Sequence, residues 1–86
     1  MPGYRVEFRR SAEKDLRRLD SSIQARVLRA IEGLANNPRP NCCRKLTGSN
    51  NAYRIRVSDY RVIYTISDTV LIVEIESIRH RREAYR

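Results

Sequence analysis

Three arginines lie close together in the segment YRIRVSDYRVIY, residues 53 to 64: Arg54, Arg56 and Arg61. The segment alternates apolar and polar residues on either side of a Ser-Asp pair, a pattern typical of two strands joined by a two-residue turn. If that turn is symmetric, Arg56 stands opposite Arg61 and all three arginines share one face of the hairpin. Like charges directly opposite one another destabilise a sheet, so the arrangement suggests a use for this face. Arginines in such a cluster are suited to binding phosphate oxygens.

An ordinary solvated sheet face is the alternative explanation for the same charges. A second symmetric turn at Ser67 and Asp68 would place Glu74 opposite Arg61, where it would offset the positive charge. The other face of the first hairpin is expected to pack against helices, and it carries Tyr53, Ile55, Val62 and Tyr64. Taken alone, the hairpin favours the solvated face.

The C-terminal segment IRHRREAYR changes this balance. If the last strand keeps its alternation, residues 74, 76, 78 and 80 share the arginine face, which brings His80 and Arg81 to its edge. The same segment contributes Tyr85. Arginines can stabilise the charge that develops on phosphorus, and His80 or Tyr85 could transfer protons. Tyr85 could equally stack on a nucleobase. The set is therefore suited to binding and cleaving a phosphodiester.

The elements that must position these residues form one small α+β domain, residues 1 to 86. The spacing of apolar residues predicts six elements, in the order β-α-α-β-β-β. The predicted strands cover residues 4 to 10, 52 to 57, 60 to 66 and 69 to 77, and the predicted helices cover residues 11 to 19 and 21 to 37. Ser11 is the expected N-cap of the first helix, and Asp20 or Ser21 that of the second. We expect an antiparallel sheet covered on one face by the helical pair.

Charge and composition narrow the possible partners. The chain has 86 residues, a net charge of +8 and a pI of about 10.3, which favours a polyanionic or acidic partner. Membrane association is the weakest option because no apolar run approaches the roughly 20 residues of a spanning helix. The N-terminus shows no signal-peptide pattern, so a cytoplasmic location is expected. Cys42 and Cys43 are adjacent and the chain has one histidine, so we expect no disulfide framework, no metal and no cofactor.

The segments RKLTG, YRIRVSDYRVIY and IRHRREAYR together resemble the RelE/ParE superfamily, the toxins of bacterial and archaeal toxin–antitoxin pairs. The resemblance covers essentially the whole chain. It implies a compact RelE-like α+β fold and neutralisation by an acidic antitoxin protein in a hetero-oligomer. For the RelE branch it also implies ribosome-dependent cleavage of mRNA in the A site. That reaction needs no metal: the ribose 2′-OH attacks the adjacent phosphorus and a 5′-OH leaves.

The resemblance also assigns roles to individual residues. Arg61 and Arg81 fall on the family's phosphate-binding and transition-state arginines, and Tyr85 on its C-terminal active-site tyrosine. Arg54 and Arg56 fall on positions that are lysine in the best-known RelE proteins. Arginine cannot act as a general base, because its guanidinium keeps its proton.

Another side chain must therefore accept the proton. Histidine is the only side-chain type in this chain that ordinarily titrates close to neutrality, so we hypothesise that His80 is the main acid/base group and Tyr85 a helper. Arg54 and Arg56 would bind mRNA or ribosomal RNA. Lys45, in RKLTG, is a second-tier candidate for a phosphate contact.

Two alternatives belong to other functional classes. A ParE-like toxin would inhibit DNA gyrase without nuclease activity, although ParE-type proteins usually lack the arginine, histidine and tyrosine set seen here. A non-catalytic basic module would bind only RNA or the antitoxin.

Overall fold

Seven helices and strands form in the part of the chain that the computed structural model describes, residues 3 to 82. They are β1 (Arg5–Phe8), α1 (Arg10–Arg18), α2 (Ser21–Gly33), β2 (Arg44–Lys45), β3 (Ala52–Val57), β4 (Tyr60–Ser67) and β5 (Ile72–His80). The strands form one sheet in the order β1-β5-β4-β3-β2. The predicted α+β class and the order of the main elements are confirmed. The short strand β2 lies in a segment for which the sequence showed no period.

The sheet is mixed, so the prediction of a wholly antiparallel sheet is wrong at one edge. Strand β1 runs parallel to β5, with Arg5 beside Ile72 and Phe8 beside Ile75. The other neighbouring strands are antiparallel. Strands β1 and β5 are the first and last in the chain, so two helices and three strands separate them and no tight turn constrains their relative direction. An alternating pattern shows which face of a strand is apolar but carries no information on its direction.

The N-cap of α2 is the residue that the sequence predicted, whereas the N-cap of α1 is not. The Asp20 carboxylate accepts a hydrogen bond from the Ile23 N–H at 3.1 Å and caps α2 as predicted. Helix α1 begins one residue earlier than expected, at Arg10, and its N-cap residue Arg9 makes no side-chain capping bond. The Ser11 hydroxyl instead donates to the Glu76 carbonyl at 2.8 Å, which ties α1 to β5.

The core lies between the two helices and one face of the sheet. Its buried side chains are Ala12, Val27, Ile31, Leu34, Ile55, Val62, Tyr64, Ile66, Val73, Ile75 and Ile78. Tyr64 is fully buried, and its hydroxyl donates to the Pro38 carbonyl at 2.8 Å. Burial raises the pKa of this phenol, so it stays a hydrogen-bond donor at every physiological pH. The opposite face of the sheet has no helix over it in the described part of the chain.

A polar network holds together the end of the sheet that is distant from Arg61. The Asp68 carboxylate accepts from the Tyr4 hydroxyl at 2.6 Å and from two Arg39 nitrogens at 2.8 and 3.2 Å. The Arg39 Nε donates to the Tyr53 hydroxyl at 3.1 Å. The network therefore links the N-terminus, the segment after α2, strand β3 and the β4–β5 turn.

Replacing Asp68 with asparagine is expected to lower the melting temperature at pH 7 and to lower it less at pH 3. The hydrogen bonds from Arg39 and then Tyr4 hold the pKa of the Asp68 carboxyl below its usual range. A carboxyl with a depressed folded-state pKa contributes stability above its unfolded pKa, about 4, and loses that contribution as the pH falls through the folded value. Thermal melts of both proteins at pH 7, 5 and 3 measure the effect. Asp59→Asn is the matched control in the other hairpin turn, and a difference of equal size at pH 7 and pH 3 would contradict the prediction.

Candidate nucleic-acid interface

Arginines from four strands meet on the open face of the sheet. The register places Arg56 opposite Arg61 and Arg61 opposite Arg79, which forms a row of three across β3, β4 and β5. Residues paired in this way project from the same face. A second row begins with Arg44 opposite Arg54. We call these five residues, Arg44, Arg54, Arg56, Arg61 and Arg79, the arginine cluster.

The first hairpin has the predicted register. Ile55 lies opposite Val62 and Tyr53 opposite Tyr64, on the face that packs against the helices. The two-residue turn adopts a left-handed conformation at Ser58, where φ is 56°. The shared face of Arg54, Arg56 and Arg61 is therefore confirmed.

The second hairpin differs from the prediction, and Arg61 faces Arg79 rather than Glu74. Two local features cause the shift. The turn contains four residues, 68 to 71, and Leu71 adopts a left-handed φ of 58°. In addition, Glu76 is an extra residue in a β-bulge, because Ile63 pairs with Ser77 and Tyr64 with Ile75. The carboxylate that the solvated-face explanation placed opposite Arg61 is thus elsewhere.

The acidic residues of the open face gather at the β1 edge, away from the arginine cluster. Arg9 lies between Glu74 and Glu76, with nitrogen–oxygen distances of 3.7 and 3.2 Å. Burial raises the pKa of the Glu76 carboxyl, Arg9 opposes this effect, and the neighbouring Glu74 adds to it. Arg5 also pairs with Glu7 at 3.1 Å, so arginines offset most of the acidic charge at this edge, whereas the arginine cluster concentrates positive charge where a phosphate chain could bind.

His80 does not lie on the arginine face, so its predicted position is wrong. The bulge at Glu76 reverses the alternation, so that Ile78 pairs with Val62 and is buried against the helices. His80 pairs with Tyr60 on the same side, with the two rings nearly perpendicular and their centroids 5.2 Å apart. The His80 Nδ1 accepts a hydrogen bond from the Arg82 N–H at 3.2 Å. A neutral imidazole that keeps this hydrogen bond carries its proton on Nε2, so it can accept a proton only if Nδ1 gives up the bond from Arg82.

Arg81 lies at the end of β5, beside the β3–β4 turn. It is exposed and directly follows β5, and its backbone N–H donates to the Asp59 carbonyl at 2.7 Å. This bond fixes the end of β5 beside the β3–β4 turn. Arg81 is therefore held near the row that contains Arg56, Arg61 and Arg79. Tyr85 lies outside the described residues.

Lys45 occupies the helix side of β2, opposite Tyr53, and is exposed. It is not part of the arginine cluster, although the sequence suggested it as a phosphate contact. Its neighbour Arg44 lies on the face of the arginine cluster instead, opposite Arg54. Arg44 gave no sequence signal because its two-residue strand is too short to show an alternation. Arg79 belongs to the C-terminal segment that was expected to extend the cationic surface, and the bulge places it on the same face as Arg61.

No three His, Cys, Asp or Glu side chains among residues 3 to 82 lie close enough together to hold a metal ion. Neither helix described there is long and apolar enough to cross a membrane.

Comparisons with known proteins converge on one group. The family model of the ParE toxin of type II toxin–antitoxin systems, parDE, matches residues 6–85. The toxin RelE of Mycobacterium tuberculosis is 34% identical, over 96% of this chain and 87% of that protein. The mRNA interferase toxin RelE of Escherichia coli is 29% identical, over 95% of this chain and 90% of that protein. In the crystal structure of an archaeal RelE–RelB complex from Pyrococcus horikoshii, the matched chain has a TM-score of 0.83 and 30% identity, over 92% of this chain and 96% of that one.

Proposed function

This chain belongs to the RelE/ParE superfamily of type II toxins, and on that premise we propose that it is a ribosome-dependent endoribonuclease that cleaves mRNA in the A site and inhibits translation. The observation that carries the proposal is the row Arg56–Arg61–Arg79 on a sheet face that no helix of residues 3 to 82 covers. Guanidinium groups in register across adjacent strands can contact successive phosphates of a single strand. The E. coli relative named an mRNA interferase supports the same reading.

The proposed reaction is an attack of the ribose 2′-OH on the adjacent phosphorus. A bond forms between the 2′-oxygen and phosphorus, the bond from phosphorus to the 5′-oxygen breaks, and the 5′-oxygen takes a proton and leaves as a hydroxyl. Arg61 and Arg81 stabilise the negative charge that builds up on the phosphoryl oxygens. Arg54 and Arg56 hold neighbouring phosphates of mRNA or ribosomal RNA. The step needs no metal.

Proton transfer is assigned to His80, with Tyr85 as a helper. Because His80 lies on the other side of the sheet from Arg61, the RNA must bend around the end of β5, with its scissile phosphate on the arginine side and the attacking ribose near the imidazole. The position of Arg81 next to Asp59 supports such a path, since it brings a guanidinium to that end of the sheet.

An acidic antitoxin is the proposed protein partner, in a toxin–antitoxin hetero-oligomer. The net charge of +8 and the arginine cluster favour an acidic surface. The similarity to the toxin of an archaeal RelE–RelB complex supports this proposal. An enzyme that acts on translating ribosomes would work in the cytoplasm.

Inhibition of DNA gyrase is the second candidate function, because the family model that matches residues 6–85 is that of the ParE toxin. In that case the arginine cluster would bind a protein or DNA surface and no RNA would be cut.

Mapping mRNA ends by primer extension after tightly controlled expression tests the proposal. We expect new 5′ ends inside codons that occupy the ribosomal A site, and no new ends when translation initiation is blocked. Growth arrest with altered DNA supercoiling but no cuts would favour gyrase inhibition instead. If neither cuts nor altered supercoiling were observed, the remaining explanation would be a binding module with no activity of its own.

A further inference from the structure

A cleft of about 210 Å³ lies on the helix side of the sheet, at the same end as Arg61 and Arg79. It is lined by Asp15, Arg18 and Leu19 from the C-terminal half of α1 and by Tyr60 and Ile78 from the sheet. Tyr60 directly precedes Arg61, and Ile78 directly precedes Arg79. The cleft and the arginine row are therefore on opposite sides of the same strand ends.

The β-bulge and helix α1 build this cleft together. The bulge turns Ile78 and His80 toward the helix side, where His80 contacts the Tyr60 ring. Strand β1 ends at Phe8, so α1 takes over the edge of β5, and the Asp15 Oδ2 accepts a hydrogen bond from the Ile78 N–H at 2.9 Å. This bond holds the Asp15 carboxylate at the cleft, and a carboxylate has acceptor sites beyond the one used.

The lining suits an unpaired nucleobase better than a phosphate. Leu19 and Ile78 form apolar walls, and the Tyr60 ring offers a surface for stacking. The carboxylate of Asp15 would repel a phosphate group but accept hydrogen bonds from a base edge. The guanidinium of Arg18 supplies donors on the same helix. Most of the exposed lining is polar and Ile78 is almost fully buried, so the cleft offers the hydrogen-bonding edge of a base more contacts than an apolar pocket would.

Among the four bases, guanine matches these two charged groups. Its N1–H and N2–H donors are adjacent and can face one carboxylate, while its O6 acceptor lies beside them and suits a guanidinium. Adenine and cytosine place a ring-nitrogen acceptor next to the amino group, and uracil flanks its single N–H with two carbonyls. Each of those acceptors would lie close to the Asp15 carboxylate and repel it.

We propose that this cleft binds the base of the nucleotide on the 5′ side of the cut and prefers guanine there. The inference rests on the proposed nuclease function. The nucleotide that carries the attacking 2′-OH is the one nearest His80, and the contact between His80 and Tyr60 places the base of that nucleotide at the cleft. Its phosphate on the 3′ side then reaches Arg61 and Arg81.

Changing Asp15 to asparagine tests the proposal with little change in shape. Asparagine keeps a carbonyl oxygen for the Ile78 N–H but loses the charge that faces the guanine donors. We expect the wild type to cut preferentially after guanine, and Asp15→Asn to lower the ratio of cuts after guanine to cuts after the other bases by roughly fivefold or more. Glu13→Gln is the matched control. It also removes one negative charge from α1, but Glu13 lines a separate groove with Phe8 and Leu28.

Arg18→Ala is a second variant that does not depend on the hydrogen bond to β5. Arg18 is exposed, so its removal should leave the melting temperature unchanged, and its control is Arg17→Ala at the neighbouring position on the other side of α1. Primer extension on a reporter series that varies the nucleotide 5′ of the cut measures all five proteins. A wild type that cuts without a guanine preference at that nucleotide, or variants that keep it unchanged, would overturn the cleft assignment and leave the nuclease proposal intact. A wild type that makes no cuts would overturn both.

Discussion

Replacement of Arg61 with alanine is expected to slow mRNA cleavage on translating ribosomes by about 10²–10³-fold at saturating toxin. Arg61 is the central member of the row Arg56–Arg61–Arg79 and is half-buried, which limits the number of positions its side chain can take. A guanidinium held in place stabilises the charge on the phosphoryl oxygens without the reorganisation that water would need. Single-turnover rates on programmed ribosomes separate this effect from weaker binding.

Two further variants make the result specific to the site. Arg61→Lys keeps the positive charge but loses the planar two-pronged donor, so we expect it to recover only part of the rate. Arg26→Ala removes an exposed arginine on α2 and should leave the rate unchanged, which controls for the lower net charge. If Arg26→Ala slowed cleavage as much as Arg61→Ala, the arginine row would act only through the overall charge of the protein, and its catalytic assignment would be wrong.

The register of the first hairpin was predictable from sequence because its physical causes are local. Strands β3 and β4 alternate without interruption, and a two-residue turn allows one pairing between them. A slip of one residue would move Ile55 and Val62 out of the core and bring arginines into it. The hydrophobic pattern therefore fixed both the pairing and the face on which Arg54, Arg56 and Arg61 lie.

The position of His80 was not predictable from alternation alone. It depends on the β-bulge at Glu76, which forms where β5 bonds to helix α1. Ser11 and Asp15 of α1 bond to the backbone of Glu76 and Ile78, where β1 no longer reaches. These contacts join residues more than 60 positions apart in sequence. A partial signal was present, since the buried apolar residues Val73, Ile75 and Ile78 change their spacing from two to three at this point. That break in alternation is typical of a bulge.

The distribution of charged residues on the open face could not be predicted from the sequence either. Glu74 and Glu76 are paired with Arg9 near the β1 edge, and that pairing follows from the parallel contact of β1 with β5. Because Arg5 and Arg9 offset the carboxylates at this edge, positive charge is most concentrated along the arginine row, which can lead an RNA strand toward the β3–β4 turn. That direction favours a path around the strand end where His80, Tyr60 and Arg81 lie.

Such a path predicts a large effect for His80 despite its position on the other side of the sheet from Arg61. His80→Ala is expected to slow cleavage by roughly 10²–10⁴-fold, the usual contribution of a general base. A general base must be unprotonated to accept the 2′-OH proton, so the wild-type rate should rise with pH and then level off. The alanine variant should lose that rise. Single-turnover rates at a series of pH values measure both quantities.

The shape of the pH profile distinguishes proton transfer from a role in positioning. Tyr60→Phe keeps the ring against His80 and should keep the pH-dependent rise, whereas His80→Gln keeps a polar side chain at the strand end but cannot accept a proton at neutral pH. If His80→Gln were slow and yet retained the wild-type profile, His80 would only position the RNA, and the acid/base group would lie elsewhere. If His80→Ala cleaved at the wild-type rate, the RNA would not pass around the end of β5, and the reaction would be confined to the arginine side of the sheet.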